Sequence, residues 1–131
     1  MICAIACGVD LAHAATTYSA SVTKSYLGWL DQYSLDTSTY HHVGPEACVP
    51  TTATNALTYL QRSAPSLFGT SLTGSGYTDW KAVDATLSSP GYMNTSVTNG
   101  TYLYTIPYAL TQFVVDDRGF DSVKFSGMFE P

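Results

Sequence analysis

Between Pro45 and Leu60 the sequence signals a helix more strongly than anywhere else in its 131 residues. Pro50 sits in what reads as the first turn, where a missing N–H has no intrahelical acceptor to lose. Ala53, Ala56, Leu57 and Leu60 follow at helical spacing as a narrow face of small and apolar residues. The stretch before it, His41-His42-Val43-Gly44-Pro45-Glu46-Ala47, is broken by glycine and proline and reads as a loop. A loop therefore delivers Cys48 to the start of a helix. Unpaired N–H groups and the helix dipole favour negative charge there. The nucleophilic form of a cysteine is the thiolate, and the same N–H groups can face a developing oxyanion. The alternative is an inert cysteine that packs as a small hydrophobe.

Around this helix the periodicity is mostly helical. Val22, Tyr26, Trp29, Leu30 and Tyr33 form the stripe of an amphipathic helix over residues 18–33. Ser34 to Gly44 is a polar loop, and Ser63 to Tyr77, with Pro65, Gly69, Gly74 and Gly76, is another. A third helix has Asp79 as its N-cap and Trp80, Val83 and Leu87 inward. A fourth spans about 101–116 with Tyr102, Ile106, Leu110, Phe113 and Val114 as its stripe, its regular part starting near Thr105 because of Pro107. After Gly119 the pattern changes to alternation at Val123 and Phe125, so Ser122–Phe129 reads as a strand. One strand cannot pair its own backbone groups, which implies further sequence or a second copy joined through the C-terminal strand.

Charge narrows the partners. Only 11% of residues are charged, against about 25% in ordinary globular domains. The surface must then be built largely from Thr, Ser, Tyr, Asn and Gly, which suits a secreted or extracytoplasmic protein. Net charge is −5, and the five basic residues Lys24, Arg62, Lys81, Arg118 and Lys124 are scattered. Nucleic acid, which needs clustered positive charge, is excluded as a partner.

Residues 1–15, MICAIACGVDLAHAA, resemble the end of a secretory signal peptide, with Ala12-His13-Ala14 as the small-x-small site. The missing basic flank and Asp10 depart from that pattern. The apolar run is too short for a membrane span, and nothing later qualifies. Removing residues 1–15 takes Cys3 and Cys7 with them and leaves Cys48 as a lone thiol. Cys3 and Cys7 have no His or Cys partners at ligand spacing, so no metal or other cofactor is expected.

Cys48-Val-Pro-Thr-Thr-Ala-Thr-Asn-Ala-Leu57 resembles the Cys-Gly-Pro-[Thr/Ala/Ser]-x-[Ala/Ser]-x-x-x-Leu nucleophile helix of papain-like cysteine peptidases, in the bacteriocin-leader (double-glycine) branch. The resemblance is tight over Pro45 to Leu60 and loose elsewhere. It implies an α+β fold: residues 16–131 as the N-terminal part of a papain-like domain, a helical lobe with the start of a β-sheet. It also implies Cys48 as nucleophile and a peptide or protein substrate. The family's base is a histidine from the β-lobe, whereas His13, His41 and His42 all precede Cys48. His42 stands roughly where the family has an oxyanion-donating Gln, and it is the candidate base or oxyanion donor within this chain. Gln32 is too far away to match, and Val49 replaces the usual Gly. Three functions follow: part of a secreted cysteine peptidase, a degenerate peptide-binding module, or a self-assembling structural protein. Asp116-Asp117 reads as a solvated helix end, and most tyrosines as core residues.

Overall fold

A computed structural model describes residue 21 and residues 23–33 and 46–125. Within these, four α-helices carry the fold: α1 Cys48–Ser63, α2 Pro65–Phe68, α3 Tyr77–Ser88 and α4 Thr105–Thr111. The last continues without a break as a π-helical segment, Gln112–Asp117. The expected signal segment 1–15 lies outside the described residues, as do Cys3, Cys7, His13, His41 and His42.

The core gathers Leu57 of α1, Phe68 of α2, Val83 and Leu87 of α3, and Ala109, Phe113 and Val114 of the α4 rod, with Leu72 and Met93 from the connections. These are the inward positions expected of α3 and of the second half of α4. Burial of side chains of this size supplies roughly 1.5–3 kcal/mol each. Thr51 near the start of α1 meets Asp84, while Arg62 near its end meets Trp80, so α1 and α3 run in opposite senses.

The buried face of α1 is not the narrow alanine face that its sequence suggests. Pro50, Thr51, Thr54, Leu57, Thr58 and Gln61 are buried, whereas Ala56 is exposed and Ala53 only partly covered. Thr51, Thr58 and Gln61 find partners inside. Thr58 donates to the Thr54 carbonyl at 2.9 Å. Gln61 accepts from the N–H groups of Leu72 (3.0 Å) and Thr73 (2.7 Å) and donates to the Gly74 carbonyl (2.7 Å). One side chain thus replaces the ladder that the 72–74 loop lacks.

Three expectations need correction. The amphipathic helix over 18–33 is reduced to a single 3-10 turn at Lys24–Tyr26. Tyr26, Trp29 and Tyr33 are exposed and Leu30 alone of the described stripe is buried. The cause is tertiary: the Asn55 side chain accepts from the Leu30 N–H at 3.1 Å and donates to the Leu30 carbonyl at 2.9 Å. Those backbone groups are then lost to a helix. Gly28 lies so close to Asn55 that a Cβ there would collide with its side-chain oxygen.

Asp79 is not the N-cap of α3. Gly76 holds that position, and the Asp79 carboxylate reaches back to accept from the Ser75 N–H at 2.9 Å. It anchors the helix entry from one turn inside, in the manner of the acidic member of a capping box.

The largest correction concerns the α+β, papain-like fold. The described residues are mostly helical and contain no β-strand; Ser96 and Gly100 form an isolated bridge around a tight turn. The described part of the expected strand Ser122–Phe129 is irregular. Val123 donates to the Phe120 carbonyl at 3.0 Å, and Phe120, Val123 and Phe125 fold onto the helical core. Gly119, at φ +73°, closes the π segment, with Phe120 N–H reaching the Val114 carbonyl at 3.1 Å. The alternating apolar residues are covered by helices, so they need no sheet. The described residues therefore offer no strand edge for joining copies through the C-terminus.

Candidate functional site

Cys48 is the first residue of α1, free and exposed. The residue before it, Ala47, is fully buried and stands at the N-cap. Having no polar side chain, Ala47 cannot cap the first turn. The first intrahelical donor is the Thr51 N–H, which reaches the Ala47 carbonyl at 2.9 Å. Pro50 has no N–H, and the N–H groups of Cys48 and Val49, in the first turn, have no acceptor within α1. Buried Ala47 and Pro50 on either side hold the turn while the thiol stays in solvent. Thr52 donates to the Cys48 carbonyl at 2.7 Å.

Two features border this end of α1. On one side is the Ser96–Gly100 turn, where Glu46 Oε2 lies 3.5 Å from the place a Cβ would take on Gly100. Beyond that turn Tyr102, Leu103, Tyr104 and Tyr108 are exposed, and the rings of Tyr102 and Tyr104 stack 5.6 Å apart. On the other side, Thr51 donates to Asp84 Oδ2 at 2.8 Å across the α1–α3 interface. Asp84 is 0% exposed. Burial pushes its carboxyl up to about 7, against a smaller lowering by the Thr51 hydrogen bond. Its second oxygen has no hydrogen-bond partner, nor do the buried Thr54 hydroxyl, the Ser88 hydroxyl and the Trp80 indole N–H. A carboxylate in such surroundings is favoured in its neutral form.

Cys48 lines neither of two cavities that border the 69–75 loop. One, of about 260 Å³, lies between that loop and α3, with Arg118 on its rim; the other, of about 460 Å³, lies between the loop, Arg62 and Tyr26. The Arg62 guanidinium donates to the Ser25 (3.1 Å) and Leu27 (3.3 Å) carbonyls and stacks 4.8 Å over Trp80. Trp29 stacks on Tyr77 at 4.8 Å beside it.

His42, the candidate base or oxyanion donor, lies outside the described residues. Asp116 and Asp117 end the π segment exposed, and Asp117 accepts from the Tyr92 hydroxyl at 2.5 Å. That hydrogen bond raises the Tyr92 phenol. The tyrosines reverse their expected role: of those described, none is buried. Among the described residues no three His, Cys, Asp or Glu side chains gather as a metal site, and no helix is long and apolar enough to cross a membrane.

Sequence reasoning missed Asp84 and Thr51. The signal was present. Asp84 falls four residues after Trp80 and beside Val83, inside the apolar stripe of α3, where a carboxylate is out of place. Comparison with protein-family models, with curated proteins and with solved structures returns no match.

Proposed function

We propose that this chain is an extracytoplasmic, cysteine peptidase-like acyl-transfer protein in which Cys48 is the nucleophile. The observation that supports this best is the placement of an exposed thiol as the first residue of α1, with Ala47 and Pro50 buried on either side. The motif resemblance of Cys48 to Leu57 adds to it. The reading rests on that local arrangement and not on a papain-like fold. In the reaction a base takes the Cys48 thiol proton, the sulfur attacks an acyl carbonyl, an S–C bond forms, the bond from that carbonyl to the leaving group breaks, and the leaving group departs with the proton. The N–H groups of Cys48 and Val49, which have no acceptor within α1, would receive the oxyanion. The base comes from further sequence or from another chain, with His42 the lesser candidate.

A second reading has one observation in its favour. The exposed Tyr102, Leu103, Tyr104 and Tyr108 continue from the Ser96–Gly100 turn beside Glu46. Such a surface would hold a peptide near Cys48 without chemistry, as a degenerate binding module. Incubation with a peptide thioester separates the two. Transfer of the acyl group to Cys48, seen as a mass increase on the peptide that contains it and lost in Cys48→Ala, supports the nucleophile. Peptide binding that is unchanged in Cys48→Ala, with no acyl adduct in wild type, supports the binding module.

A further inference from the structure

Asp84 is a costly feature with no role in the fold that a neutral residue could not fill. It is fully buried, it uses one oxygen on Thr51, and its other oxygen is unpartnered. Two further buried hydroxyls in the same interface, Thr54 on α1 and Ser88 on α3, are unpartnered as well. Helical spacing puts Thr54 one turn after Thr51 and Ser88 one turn after Asp84, so the two bracket the Thr51–Asp84 contact. Cys48 lies one turn before Thr51 on the same helix. The only side-chain hydrogen bond from that first turn to α3 is thus made to an ionisable group.

We propose that Asp84 is a positioning residue for Cys48: through Thr51 it ties the thiol-bearing turn of α1 to α3, and gain or loss of its proton changes the reactivity of the thiol. The proposal rests on the reading of Cys48 as a nucleophile. When protonated, Asp84 is neutral and carries no charge into the interface. When ionised, it holds a charge in a low-dielectric interface, against Thr51, which follows Cys48 by one turn on α1. That charge loosens the contact between the two helices that holds the thiol-bearing turn.

No other ionisable group is placed to take over this role. From α1 and its lead-in these groups are Glu46, Cys48, Tyr59 and Arg62; from α3 itself they are Tyr77, Asp79 and Lys81. None of them hydrogen bonds Asp84. Arg62 is held by Ser25, Leu27 and Trp80, and Asp79 by Ser75. The segment that follows α3 brings Tyr92, which is bonded to Asp117, and Tyr102 and Tyr104, which are exposed. Burial and Thr51 are the causes that act on Asp84, and together they put its transition near neutral pH.

The test is the rate at which iodoacetamide alkylates Cys48 between pH 5.5 and 8.5, followed by mass spectrometry of the peptide containing it. The wild-type profile should depart from a single titration, with a second inflection near neutrality. Asp84→Asn should remove that inflection and raise the rate above it by several-fold. Thr51→Val, which keeps the shape but removes the hydrogen bond that lowers Asp84, should move the inflection to higher pH. A second inflection that stays where it is in Thr51→Val does not come from Asp84 and overturns the proposal. A single-titration profile in the wild type, or a second inflection that survives Asp84→Asn, overturns the proposal. Alkylation needs no substrate and no base, so a failure here is separate from a failure of acyl transfer.

Discussion

The Thr51 hydroxyl donates to the Asp84 carboxylate at 2.8 Å inside the α1–α3 interface, where both residues are shielded from solvent. An ionisable group at the centre of a helix pair makes the stability of the pair depend on pH. Asp84 is raised from 3.8 to about 7 in the folded chain. A raised carboxyl means that the folded state binds the proton more tightly than the unfolded state does. Its contribution is therefore fully present below about pH 4, falls as pH rises toward 7, and is gone above. At about 1.4 kcal/mol per unit, the loss amounts to as much as about 4 kcal/mol. Urea unfolding at pH 5 and at pH 8 should show the wild type less stable at pH 8. Asp84→Asn should flatten this difference and be the more stable chain at pH 8. Equal wild-type stability at the two pH values would contradict the assignment.

Asn55→Ala should detach the 27–33 segment from α1. The Asn55 amide makes both hydrogen bonds to Leu30, and each lost partner of a buried polar group costs about 1–3 kcal/mol. Leu30 is the buried residue of that segment, so the loss should be local before it is global. Trp29 fluorescence is a direct readout, since its ring stacks on Tyr77 and meets the edge of Trp80. Gly28→Ala should give the same signature by collision with Asn55. Spectra and unfolding midpoints identical to wild type would show that the contact does not hold the segment.

Gln61→Ala should be among the most damaging single changes outside the hydrophobic core. Three backbone groups of the 72–74 loop lose their partner at once, two of them within buried residues. The expected cost is roughly 2–5 kcal/mol, read from urea midpoints. Gln61→Glu keeps the acceptor but loses the donor to Gly74, and it should cost less than the alanine at pH values where the carboxylate is ionised. A neutral effect of Gln61→Ala would mean that the loop holds its conformation by itself.

What the sequence made legible follows from where the local signals and the tertiary demands agree. At α1 they agree: Pro50 lies in the first turn, Leu57 faces the core, and Cys48 begins the helix. At α3, Trp80, Val83 and Leu87 are inward as their spacing requires. They disagree at residues 23–33, where a helical stripe is present but Asn55 claims the Leu30 backbone and Gly28 meets it closely. They disagree again at Val123 and Phe125, whose alternation reflects two contacts with helices and not a pleat. The thiol was visible because its position along one helix suffices to describe it. Its tie to Asp84 was not, because Thr51 and Asp84 are 33 residues apart and meet only once α3 packs on α1.

The nucleophilic role of Cys48 is tested most directly by its acylation with p-nitrophenyl acetate at pH 7, compared with a short unstructured peptide carrying Ala-Cys-Val-Pro. A helix start that activates the thiol should give a burst of one equivalent of nitrophenol per chain, absent in Cys48→Ala, with acylation about tenfold or more faster than in the peptide. A rate equal to that of the peptide, or a burst that persists in Cys48→Ala, would contradict the assignment of Cys48 as the nucleophile.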